Sequence, residues 1–181
     1  MKALLVSFGA CAVAVAAFPA HSAVVTIGNS LARTCFESAQ ARARTPASLN
    51  ECNLALNGAL NHDDRVATFV NRGILHLIGN NYIGATRDFD AAIALDPSQP
   101  EAWLNKAILV VKHDKGAGAV PMVDRALALK TNKPALAYYV RGIAHEEAGN
   151  IKAAYADLVQ ARNLAPEWND PVQELQRYRV R

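Results

Sequence analysis

Apolar positions recur with a helical step along most of this chain. Leu31, Cys35, Ala39 and Ala43 fall four apart, and Thr45-Pro46 breaks that run. Ser48 is placed to cap a second helix carrying Leu49, Cys52, Leu56 and Leu60, closed by the polar run Asn61-His62-Asp63-Asp64. The spacing then predicts a helix from about Arg65 to Ile78, with Phe69, Arg72, Gly73 and His76 on one stripe. Gly79-Asn80-Asn81 reads as a C-terminal glycine and tight turn before a helix from Tyr82 to Leu95. Asp96-Pro97 ends that helix and Pro100 opens the next. Ahead of all this, residues 24–28 read as a short extended or disordered arm, with Val24, Val25, Thr26 and Ile27 β-branched.

The pattern repeats. Gly73 is followed by Ala85, Phe89, Ala92 and Pro97; 34 residues on, Ala107, Ala119, Val123 and Ala126 take the same slots. A further 35 residues on they are Gly142, Ala154, Leu158, Ala161 and Pro166. A fixed period of this length is the signature of a helical repeat array. The second copy is degenerate: its turn "HDKGAGAVP" carries two glycines and Pro121, which weaken the start of its second helix. The third copy is regular again, with Tyr138, Arg141, Gly142, His145 and the Gly149-Asn150 turn. Asp170-Pro171-Val172-Gln173 then reads as an N-cap, a first-turn proline and a capping glutamine. A last helix with Val172, Leu175 and Tyr178 would cover the open end, its other face being Gln173, Glu174, Gln176, Arg177 and Arg179.

These residues resemble the tetratricopeptide repeat family. "FVNRGILHLIGNNYIGATRDFDAAIALDP" and "YYVRGIAHEEAGNIKAAYADLVQARNLAP" carry its aromatic-then-Gly opening, Gly-Asn turn, small-residue second helix and closing proline. The resemblance covers 65–166, with 29–60 as a looser, repeat-like hairpin. It implies an all-α, right-handed α-solenoid of antiparallel helix hairpins, whose concave side is lined mainly by the first helix of each pair. The expected organisation is a leader (1–23), an N-terminal hairpin (24–62), three repeats within 63–168 (about 66–99, 100–134 and 135–168) and a capping helix and tail (169–181). Such proteins are usually non-catalytic scaffolds that hold peptide segments or partner proteins. The family's carboxylate clamp uses Lys, Arg and Asn on the concave face. The matching slots here are Val70, Asn71 and Ile74, then Leu104, Asn105 and Ile108, then Tyr139, Val140 and Ile143. Two asparagines remain, but Val, Ile and Leu replace the basic residues. The expected groove is therefore an apolar stripe with a polar ladder of Asn71 and Asn105, edged by Lys112, Glu146 and Glu147. It could accept a hydrophobic segment or helix, or the same side chains could be inter-repeat core; both readings stand at this point.

Arg72 and Arg141 share a slot, with Asp88 and Asp157 sixteen residues after each. In the degenerate copy the pair becomes Lys106 and Met122. Joint loss favours an Arg–Asp tie inside each hairpin over a grip on a ligand carboxylate. His76 and His145 lie two repeats apart, too far to share a metal ion, so each is expected to plug its own hairpin.

The N-terminus changes the reading of the cysteines. Met1-Lys2, an apolar run from Ala3 to Phe18 and small residues up to Ala23 have the make-up of a cleaved secretory leader, with cuts after Ala20, Ser22 or Ala23 all open. The apolar run is short for a membrane span. Removal discards Cys11 and leaves Cys35 and Cys52, for which a disulfide is the default in an exported, periplasmic or secreted setting. It also lowers Lys+Arg from 19 to 18 against 16 acids, so the charge falls from +3 to 18 − 16 = +2. That is too little to argue for nucleic acid or an anionic membrane. No hydrolase, metalloprotease or phosphate-loop motif occurs, and no cofactor or metal is expected. The function expected is an exported interaction module for a protein or peptide partner. The alternative is a structural or self-associating envelope accessory, a possible homo-oligomer.

Overall fold

The structure, a computed structural model, describes residues 22–26, 30–113 and 116–178. The leader up to residue 21, Cys11 and Arg179 lie outside the described residues. The described chain is a run of helices: α1 (Ser30–Gln40), α2 (Pro46–Asn57), α3 (His62–Ile78), α4 (Tyr82–Leu95), α5 (Pro100–His113), α6 (Val120–Ala128), α7 (Pro134–Glu147), α8 (Ile151–Leu164) and α9 (Asn169–Gln176). Successive pairs α1–α2, α3–α4, α5–α6 and α7–α8 pack as hairpins, and α1, α3, α5 and α7 also contact one another in order. The result is an all-α solenoid of stacked helix hairpins.

Packing explains the small residues of the repeat. A methyl group added at Gly73 would lie 2.5 Å from Phe89 Cε1, and one at Gly142 would lie 3.0 Å from Leu158 Cγ. Each glycine is therefore the floor on which the large residue of its own hairpin partner sits. Phe89, Leu158, Ala85, Ala92, Ala154 and Ala161 are all fully buried. The disulfide joins Cys35 on α1 to Cys52 on α2 across a Cα–Cα distance of 4.9 Å, stapling the first described hairpin.

Several helix ends differ from the sequence reading. Helix α2 begins at Pro46 with Thr45 as its cap, because Thr45 Oγ1 accepts from Ser48 N at 3.2 Å and a proline at the first helical position needs no donor. Ser48 is thus inside the helix rather than its cap. The polar run after α2 does not merely close that helix: Asn61 Oδ1 accepts from Asp64 N at 2.7 Å and starts α3. In the first full turn the left-handed residue is Asn80 (φ 59°), not Gly79, whereas in the third copy it is Gly149 (φ 77°). Asn80 and Gly149 are the equivalent pair. The degenerate copy enters its second helix through a 3₁₀ turn at Gly116–Ala119, and Pro121 sits in the first turn of α6, which spans 9 residues against 14 for α4 and α8. Asp170 is not the cap of α9. That helix begins after Trp168, whose ring packs on Tyr139 with centroids 4.8 Å apart and so fixes the entry of the chain.

Candidate peptide-binding groove

The inner helices α3 and α5 present Asn71 and Asn105 from equivalent positions, and both are fully buried. A buried carboxamide must satisfy two donors and one acceptor. The partner is the chain's own N-terminal arm, Ser22–Thr26. Asn71 Oδ1 accepts from Val24 N at 2.9 Å, while Asn71 Nδ2 donates to Val24 O at 2.8 Å. Asn105 repeats this on Ser22, with Oδ1 accepting from Ser22 N at 3.4 Å and Nδ2 donating to Ser22 O at 3.1 Å. Asn105 Nδ2 also donates to Glu101 O at 2.8 Å within α5. Only one orientation of each carboxamide satisfies both of its main-chain contacts.

The geometry is that of a strand read from one edge. Residues two apart on an extended chain point the same way and lie roughly 7 Å apart, so successive inner helices meet alternate residues. The arm runs from α5 toward α3, against the order of the repeats. Ser22 Oγ donates to Asn132 Oδ1 at 2.9 Å. Asn132 is itself set by Asn132 N donating to Glu101 Oε1 at 3.1 Å, and Thr131 Oγ1 donates to the same carboxylate oxygen at 3.3 Å. The ladder stops at α7, where the equivalent residue is Val140.

Of the apolar positions expected to line an open groove, Val70, Ile74, Leu104, Ile108, Tyr139 and Val140 are buried in one cluster, and Ile143 is partly buried against it. Ala23 and Val24 of the arm pack on that same cluster. With the arm in place the stripe is thus core rather than open surface. Burial pushes the Tyr139 hydroxyl well above its ordinary range, with Glu174 and Asp170 adding to the effect. The expected edge residues are engaged too. Glu146 accepts from Arg177 Nη2 at 2.6 Å and from the Tyr178 hydroxyl at 3.0 Å, docking α9 on α7. Glu147 accepts from Gly116 N. Lys112 is half-buried, and that burial lowers its pKa, with Arg42 and Arg44 acting in the same direction.

The two arginines are structural ties. Arg72 holds Asp88 through two bonds of 2.7 Å, and Arg141 holds Asp157 at 2.7 and 2.8 Å. Each also reaches back to the preceding hairpin, Arg72 to Asn53 at 2.8 Å and Arg141 to Asp124 at 2.6 Å. Lys106 keeps this backward link, to Asp90. Asn53, Asp90 and Asp124 escaped the sequence reading, although an acid or amide 16 to 19 residues before each basic slot was visible. His76 and His145 lie inside their hairpins, 3.7 and 3.9 Å from the Asp88 and Asp157 carboxylates. Among the described residues, no group of three His, Cys, Asp or Glu is placed to hold a metal ion, and no helix is long and apolar enough to cross a membrane.

This architecture defines a class, the tetratricopeptide-like helical solenoids. Two solved structures share it: "MamA 41-end from Desulfovibrio magneticus RS-1", at 21% identity, and "MamA RS-1 ArsTM double mutant", at 22%. Both superpose with a TM-score of 0.64 over 81% of this chain and 82% of theirs. At that identity the likeness is one of fold. No protein-family model matches the chain, and no curated protein matches it.

Proposed function

We propose that this protein is an exported, non-enzymatic interaction module whose concave face holds an extended segment of a partner protein. The site comprises the floor residues Val70, Ile74, Leu104, Ile108, Tyr139, Val140 and Ile143, and the reading residues Asn71 and Asn105. One observation carries the proposal: two buried carboxamides on successive repeats each pair with both main-chain groups of one residue, and those two residues lie two apart in a single arm. Such pairing recognises peptide as peptide, much as a sheet edge does. Export behind a cleaved leader is supported by the Cys35–Cys52 bond, which persists in oxidising compartments. Self-association through the apolar stripe is the weaker reading, because that stripe is already covered within one chain. The test is crosslinking in the exported compartment. Asn71→Ala with Asn105→Ala should lose the partners that the parent captures while keeping native helicity, and unchanged capture would refute the assignment.

A further inference from the structure

We propose that the Ser22–Thr26 arm is a resident strap in the groove, a tethered pseudo-ligand that a partner's extended segment must replace in the same main-chain register. This rests on the groove reading above and on a leader cut after Ala20, the cut that keeps Ser22 on the mature chain, and it deepens that reading by naming the ligand: an extended peptide, not a helix, read at residues i and i+2. Residue i is small, with a hydroxyl for Asn132. Residue i+2 is β-branched and lies on the apolar floor.

Three observations support displacement rather than permanent docking. Among the described residues, the arm's hydrogen bonds to the helices use the main chain of Ser22 and Val24 only, and one hydroxyl bonds Asn132 in the loop between α6 and α7. Any segment that can extend offers the same main-chain groups. The arm also fits imperfectly: Thr26 is 3% exposed, and its Oγ1 is buried with no hydrogen-bond partner. An unmet buried hydroxyl opposes binding, so a segment with an isosteric apolar residue there binds better than the arm does. Lastly, Val25 is 62% exposed, so the side of the arm turned away from the floor is accessible from solvent. Against these, the tether gives the arm the high effective concentration of an intramolecular ligand. The parent groove is therefore closed to weak segments and open to better-matched ones.

Two substitutions in the arm, neither lying within a helix, move the strap in opposite directions. Val24→Pro removes the N–H that Asn71 accepts, and proline tolerates extended backbone. Thr26→Val removes the unmet hydroxyl. The probe is a fluorescently labelled peptide, Ser-Ala-Val-Val-Thr, followed by anisotropy against the full chain and both variants. The Val24→Pro chain should bind it about five- to tenfold tighter than the parent, and the Thr26→Val chain several-fold weaker, each change being worth about one net hydrogen bond or one unmet group. The same peptide N-methylated at its first valine should bind none of them. Equal affinities for all three chains, with binding still abolished by Asn71→Ala, would overturn the strap and leave the groove reading standing. No binding to any chain, Val24→Pro included, would overturn both. Equal binding of the N-methylated peptide would refute main-chain reading. A parent that is dimeric in solution and becomes monomeric on Val24→Pro would place the arm in a second copy's groove, against the assignment in cis.

Discussion

Asp88 is fully buried and Arg72 only slightly exposed, so their tie carries the cost of two desolvated charges. Removing one partner leaves the other unpaired. Arg72→Met should lower stability by roughly 3–5 kcal/mol, and adding Asp88→Leu should recover much of the loss; chemical denaturation of the three proteins measures it. His76 beside them binds a proton less readily than an unfolded imidazole, because burial outweighs the pull of Asp88. Between its folded value and the ordinary 6.5 the unfolded chain holds more protons, so stability falls as pH drops through that window and is fully present above it. His76→Gln should flatten this part of the pH profile; an unchanged slope would exclude His76 as its source. These ties were legible beforehand, since Arg and Asp are lost together in the degenerate copy. The role of Asn71 and Asn105 was legible only by half. Their recurrence marked a ladder, but the arm that satisfies them is 47 and 83 residues away in sequence, and no period points to it.

Within single elements, the helices themselves were readable and their caps were not. Periodicity fixes which face is apolar, whereas a cap depends on one side chain turning back to one amide. Thr45 and Ser48 are both capable, and Pro46 decides between them by fitting the first helical position. The disulfide acts on the first hairpin. Cys35→Ser with Cys52→Ser should cost about 2–4 kcal/mol, with hydrogen exchange rising first in α1 and α2. Gly149 is the one glycine among the described residues with positive φ, so Gly149→Ala should cost about 1 kcal/mol by thermal melting. The opposite change at Asn80, introducing a glycine, tests the equivalence of the two turns: Asn80→Gly should be neutral or stabilising.

Across the whole molecule, the stack of inner helices turns a local repeat into a surface of regular polar positions. The apolar floor is indispensable to that stack. Ile74 and Ile108 are fully buried, so replacing Ile74, Ile108 and Ile143 with Asn should reduce helicity by circular dichroism rather than merely empty the groove, because unpaired polar groups would be buried. Asn71 and Asn105, by contrast, spend their side chains on the arm. The most direct measurement is therefore amide hydrogen exchange at Val24 in the full chain, compared between the parent and Asn71→Ala. The account predicts a protected Val24 amide in the parent, and loss of that protection in the variant while amides of α3 to α8 stay protected. A Val24 amide that exchanges in the parent as fast as an unstructured peptide would contradict it.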